Sequence, residues 1–124
     1  MLNFLKIKER DMLKVLNLKE DFVSTDQALA MVEIEIERCA FDGCVAIKVL
    51  HGYGSHGKGG KILIALRQKL RQWKRNGFIK NYFAGDKWDV FDKDAWEILQ
   101  ADKSISGDED LGRANPGITI IAIK

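Results

Sequence analysis

Val45-Ala-Ile-Lys-Val-Leu50-His51-Gly-Tyr-Gly-Ser-His-Gly-Lys-Gly-Gly60-Lys61-Ile-Leu-Ile-Ala-Leu-Arg-Gln-Lys-Leu-Arg-Gln-Trp-Lys-Arg75 is the stretch that decides the fold. Val45–Leu50 is short, apolar and β-branched, as a buried parallel strand is. The ten residues 51–60 hold five glycines. From 61 to 75 the apolar residues Ile62/Leu63, Leu66, Leu70 and Trp73 recur at helical spacing, while Lys61, Arg67, Arg71, Lys74 and Arg75 fall together on the other side. Strand, glycine turn, helix predicts an α/β chain.

The pattern continues outward in both directions. Upstream, Lys14–Leu18 alternates weakly and predicts a first strand. Ser24 with Gln27 forms a capping box for a helix whose stripe is Leu29, Val32, Ile36 and Cys39/Ala40, and Gly43 ends it. Downstream, Asn76-Gly77 stops the basic helix and Phe78–Phe83 predicts a third strand. Asp92 or Asp94 would cap a short helix carrying Trp96, Ile98 and Leu99. Residues 102–115 read as a polar loop, and Pro116-Gly117 opens a last strand, Ile118–Ile123. The predicted fold is an α+β two-layer sandwich in the order βαβαβ(α)β. Right-handed crossovers place both long helices on one face of a four-stranded mixed sheet. Residues 1–13 form a charged lead-in, and 14–124 form a single domain with an expanded acidic connection at 85–116.

The 124 residues, 46% hydrophobic and 31% charged, fit one globular domain. No apolar run is long enough to span a membrane, and the charged start does not read as a signal peptide. Cys39 and Cys44 are not a CxxC pair; they are expected to be reduced, half-buried thiols of a cytoplasmic protein. The net charge is +2, but its distribution is uneven. Lys48 to Gly85 carries nine basic residues and no acid, whereas Asp86 to Asp110 carries nine acids and three lysines. A helix without acids forgoes the i,i+4 pairs that support a solvated face, so the omission favours an anionic partner.

The glycine loop points to the same chemistry. Unpaired amides at a helix N-terminus, the helix dipole and glycines that admit close approach make an anion site, with Lys58 and Lys61 adding full charges. Gly52-Tyr-Gly-Ser-His-Gly-Lys-Gly59 nearly spells a Walker A loop, but Gly59 stands where a magnesium-binding hydroxyl is needed. No acid follows about 20 residues on, as a dinucleotide fold requires. Ser55 lacks the GxSxG elbow. His51 and His56, five apart on a loop without nearby acids, do not make a metal site by themselves; no cofactor is expected, with a divalent metal left open. His51 can serve as a general acid/base or can hydrogen-bond the backbone. Tyr53 can stack on a base. Trp73, Trp88 and Trp96 are expected to pack.

Val49-Leu50-His51-Gly52-Tyr53-Gly54, followed by glycines and an Ile/Leu/Ala/Leu/Arg helix, resembles the small MutS-related (Smr) domain family. There an Ile-Ile-His-Gly-x-Gly-x-Gly loop joins a buried strand to a helix. Gly117-Ile-Thr-Ile-Ile121 is similar to the family's closing strand. The resemblance covers 14–124 and implies a nucleic-acid-binding module, in some members a DNA or RNA endonuclease in repair, recombination or RNA processing. Taken with the glycine loop and the basic helix face, it leads to expected DNA or RNA contacts from Lys19, Gly52, Tyr53, Gly54, His56, Gly57, Lys58, Lys61, Arg67, Arg71, Lys74 and Arg75, with His51 as the candidate catalytic group. The family's Leu-Asp-Leu-His-Gly is Leu16-Asn-Leu-Lys-Glu20 here, so Asn17 and Lys19 replace an acid and a histidine. The resemblance therefore carries binding further than cleavage. The alternative expectation is a non-catalytic protein-interaction module in which acidic 86–110 meets a basic partner. That segment could also fold over the basic helix and mask it. The chain is expected to be monomeric.

Overall fold

A computed structural model describes residues 13–19, 24–52 and 58–124, excepting the side chains of 58 and 59. Residues 1–12 and 20–23, and with them Tyr53, Gly54, Ser55, His56 and Gly57 of the expected loop contacts, lie outside the described residues. The elements are β1 (Leu13–Asn17), α1 (Thr25–Asp42), β2 (Ala46–Leu50), α2 (Lys58–Arg75), β3 (Asn81–Ala84), α3 (Lys93–Ala101) and β4 (Ile118–Ala122). Short 3-10 turns occupy Gly85–Lys87 and Lys103–Gly107. The sheet order is β1-β2-β4-β3. β1 runs parallel to β2, and β4 lies antiparallel between β2 and β3. This is the predicted α+β architecture with a four-stranded mixed sheet.

Local chemistry sets the element ends. The Ser24 hydroxyl accepts from Gln27 N while Gln27 Oε1 accepts from Ser24 N, satisfying two free amides at the start of α1. Gly43, at φ 80°, ends α1 in the left-handed region. Ala28, Val32, Ile36 and Cys39 of α1 and Ile62, Leu66, Leu70 and Trp73 of α2 are buried. They pack with Ile47, Val49 and Ile121 in one core cluster. Strand alternation sends Ala46, Phe83, Ile118 and Ile120 to the other face, where Trp88, Ala95, Ile98, Leu99 and Ile105 form a second cluster. Segment 85–116 is thus a cover over the second sheet face, added to the two-layer arrangement of the long helices.

Six expectations are corrected. The basic helix begins at Lys58, inside the stretch read as loop, and β1 begins at Leu13, the last residue read as lead-in. Cys39 and Cys44 form a disulfide across the Gly43 turn, with Cα atoms 4.7 Å apart. The left-handed glycine brings both residues to one side of the α1–β2 corner, within bridging distance. β3 begins at Asn81 rather than Phe78, because Phe78 N and Ile79 N bond back to Trp73 O at the α2 terminus. Residues 102–115 are an ordered cover, not a loose polar loop: Asp102 caps a 3-10 turn and Ile105 is buried. Trp88 is fully buried as expected, but Trp96 is 52% exposed, at the margin of the α3 face that buries Ala95, Ile98 and Leu99. No described helix is long and apolar enough to cross a membrane.

Candidate nucleic-acid interface

Three strand ends converge. Asn17 and Leu50 are register partners at the carboxyl ends of parallel β1 and β2, and Gly117 precedes β4 beside them. Open α/β sheets place ligands beyond the carboxyl ends of their parallel strands, and the glycine loop leaves β2 at that edge. The Gly117 carbonyl accepts from both His51 N at 3.0 Å and Gly52 N at 3.1 Å, so the first two loop residues are pinned to β4. Gly52 has φ 77°. The Lys19 stem packs on it: a Cβ at Gly52 would lie 3.4 Å from Lys19 Cδ. The Asn17 side-chain carbonyl accepts from Lys19 N at 2.8 Å, turning the chain so that Lys19 reaches the loop.

His51 is 4% exposed. Its Nδ1 lies 2.8 Å from the Gly52 carbonyl and its Nε2 lies 2.9 Å from Thr119 Oγ1. A carbonyl can only accept, so Nδ1 carries the proton of the neutral ring, and Nε2 accepts from the Thr119 hydroxyl. Burial pushes the imidazole below its ordinary pKa and the Arg67 charge adds to the lowering, while the Gly52 and Ile118 backbones oppose it. In this arrangement both nitrogens are engaged within the protein. The backbone-bonding role is the one the geometry displays.

Lys61, Arg67, Arg71, Lys74 and Arg75 are all exposed on α2. Their span of about 20 Å at 1.5 Å per residue equals the axial rise of about six phosphates of one duplex strand. None of them joins the ion pairs found among the described residues, which use Arg38, Lys48 and Lys80. A cleft of about 330 Å³ lies between α2 and β3, lined by Arg67, Arg71, Tyr82, Phe83, Ala84, Asp86, Lys87 and Thr119. It joins the cationic face to the His51–Thr119 pair.

The sequence reading missed Thr119, Lys87 and the partners of Lys48. A signal existed for Thr119 and for the existence of partners to Lys48: both are lone polar residues in apolar strands, and a buried polar group requires a partner. Lys48, 3% exposed, reaches Asp108 and Asp110 at 2.7 Å each. The acidic segment does not lie over α2; its packed residues cover the opposite sheet face. Much of its charge serves the fold. Asp89 accepts from Phe91 N, Asp92 from Asp94 N and Ala95 N, and Asp102 from Ser104 N. Among the described residues no group of three or more His, Cys, Asp or Glu gathers that could hold a metal ion.

No family model matches the sequence, and no curated protein matches it. Among solved structures, the Smr domain of Thermus thermophilus MutS2 is similar, with a TM-score of 0.55 at 19% identity, over 90% of this chain and 98% of that one. The likeness shows a shared fold: the chain has an Smr-like architecture.

Proposed function

We propose that this Smr-like domain binds DNA or RNA, with the Lys19–His51–Gly52 corner and the adjoining glycine loop at one end and the cationic face of α2 as the track for the phosphates. The observation that carries the reading is the acid-free face of α2: five exposed cations with no carboxylate partner among the described residues, leading away from the glycine loop. Tyr53, Gly54, His56, Gly57 and Lys58 belong to the same proposal as loop contacts. The Smr-like fold supports it, as does the cleft that links Arg67 and Arg71 to the loop base.

The test is binding to labelled duplex DNA and single-stranded RNA across a salt series. Each phosphate neutralised contributes about −0.9 to the slope of log K against log salt for duplex and about −0.7 for a single strand. Five contacts give about −4.5 on duplex, and Arg67→Ala with Arg71→Ala reduces that by about 1.8. A flat plot overturns the proposal. His51 is read as a structural residue of the binding corner, so no His51-dependent cleavage is expected. Cleavage by the purified chain that His51→Ala abolishes at unchanged affinity would assign it a catalytic role instead.

A further inference from the structure

The charged network under β2 ends at the loop. Lys48 Nζ donates to Asp110 Oδ2 at 2.7 Å, and Asp110 Oδ1 accepts from Asn115 Nδ2 at 2.9 Å. Asn115 Oδ1 accepts from Gly117 N at 2.8 Å, and the Gly117 carbonyl takes the amides of His51 and Gly52. A second branch fixes the anchor: Lys48 also donates to Asp108 Oδ1 at 2.7 Å, and Trp88 Nε1 donates to Asp108 Oδ2 at 2.9 Å. The packing around Asn115 is equally constrained. A Cβ on Gly85 would sit 1.8 Å from the Asn115 carbonyl oxygen, so no side chain fits there. A Cβ on Gly117 would lie 3.2 Å from Asn115 Oδ1 and 3.5 Å from Gly52 Cα. Ala114 adopts φ 52°, a conformation that L-residues avoid unless their surroundings impose it. Asp110 also feels the Lys19 charge, which helps to lower its pKa along with Lys48 and Asn115, against the effect of burial.

We propose that Asp110 and Asn115 are positioning residues: through Gly117 they set the conformation of the His51–Gly52 turn from which the glycine loop departs. Segment 85–116 thereby shapes the phosphate-binding corner from beneath the sheet without touching the ligand. The inference rests on the binding function proposed above only for its effect on affinity; the effect on the turn is readable without any ligand.

The experiment compares the full chain with Asn115→Ala, Asp110→Ala and the exchange Asp110→Asn with Asn115→Asp. In the exchanged pair the new amide donates to the new carboxylate, which still accepts from Gly117 N. Leu99→Ala, in the α3 core, serves as a stability control. Amide hydrogen exchange at His51 and Gly52 is read relative to core amides of β2, alongside affinity well below the melting temperature. Asn115→Ala and Asp110→Ala are expected to speed exchange at His51 and Gly52 about tenfold beyond the β2 core, and to weaken binding about tenfold. The exchange should restore both, while Leu99→Ala should alter neither once its global destabilisation is subtracted. Where Asn115→Ala does not fold, Asp110→Ala decides, because Lys48 keeps Asp108. Unchanged relative exchange at His51 and Gly52 overturns the inference. A wild-type chain that binds no nucleic acid overturns the functional proposal instead, and leaves the exchange result to decide this one.

Discussion

At His51 two unlike buried residues depend on each other: the ring nitrogen needs the Thr119 hydroxyl, and the hydroxyl needs the ring as its acceptor. Thr119→Val leaves Nε2 buried without a donor and should cost about 1–3 kcal/mol in chemical denaturation. The imidazole pKa is lowered on folding, so the unfolded chain binds the proton more readily. Stability from this group is therefore complete above the ordinary histidine value of about 6.5 and is lost as pH falls from there through the folded pKa. Denaturation curves between pH 7.5 and 5 should show the loss, and His51→Gln should flatten it. Lys48 works in the opposite sense, because its two carboxylate bonds outweigh burial and raise its pKa; its contribution fades only in strong alkali. Lys48→Met strands two carboxylates near one another and should cost about 3–5 kcal/mol. Neither pairing could be read from the chain, since Lys48 and Thr119 show in the sequence only as polar residues in apolar strands. Their partners lie 60 and 68 positions away.

Among the elements, the helix ends were the most legible, because their chemistry is local. The Ser24–Gln27 box and Gly43 are where sequence alone places them. Ser24→Ala should lower stability by about 1 kcal/mol. Two features at this scale depend on through-space geometry and were not legible. The Trp73 carbonyl captures Phe78 and Ile79 amides and delays β3. The α1–β2 corner brings Cys39 to Cys44. Closing so short a loop is worth about 2 kcal/mol in the chain-entropy account, so reductant should lower the unfolding free energy by about that amount while leaving the sheet assembled. Segment 85–116 was the hardest to read. Its acids look like a charged docking face, yet Asp89, Asp92 and Asp102 bind nearby amides and Asp108 and Asp110 face a lysine. Aspartate in turns serves the backbone first.

Over the whole molecule, the sheet separates two jobs. Its α1/α2 side carries the cations, and its other side is closed by Trp88, α3 and Ile105. Deleting 85–115 would therefore strip a core, and the expected outcome is an unfolded chain rather than tighter binding; loss of the near-ultraviolet circular dichroism signal would show it. Leu99→Ala, smaller in scope, should cost about 2–5 kcal/mol. The placement of both long helices on one face was predictable from the right-handed crossovers, whereas the insertion of β4 between β2 and β3 and the cover on the second face were not, because strand pairing is a through-space choice and the cover's apolar residues are interrupted by turn-forming aspartates. The placement of β4 has a consequence for biosynthesis. Ile47 of β2 waits roughly 70 positions for its partner Ile121 in β4, the last of the four strands to be made. At about 5–20 residues per second the ribosome leaves that apolar ribbon without its neighbour for several seconds. A nascent chain of this design cannot close its interior until translation has passed β4.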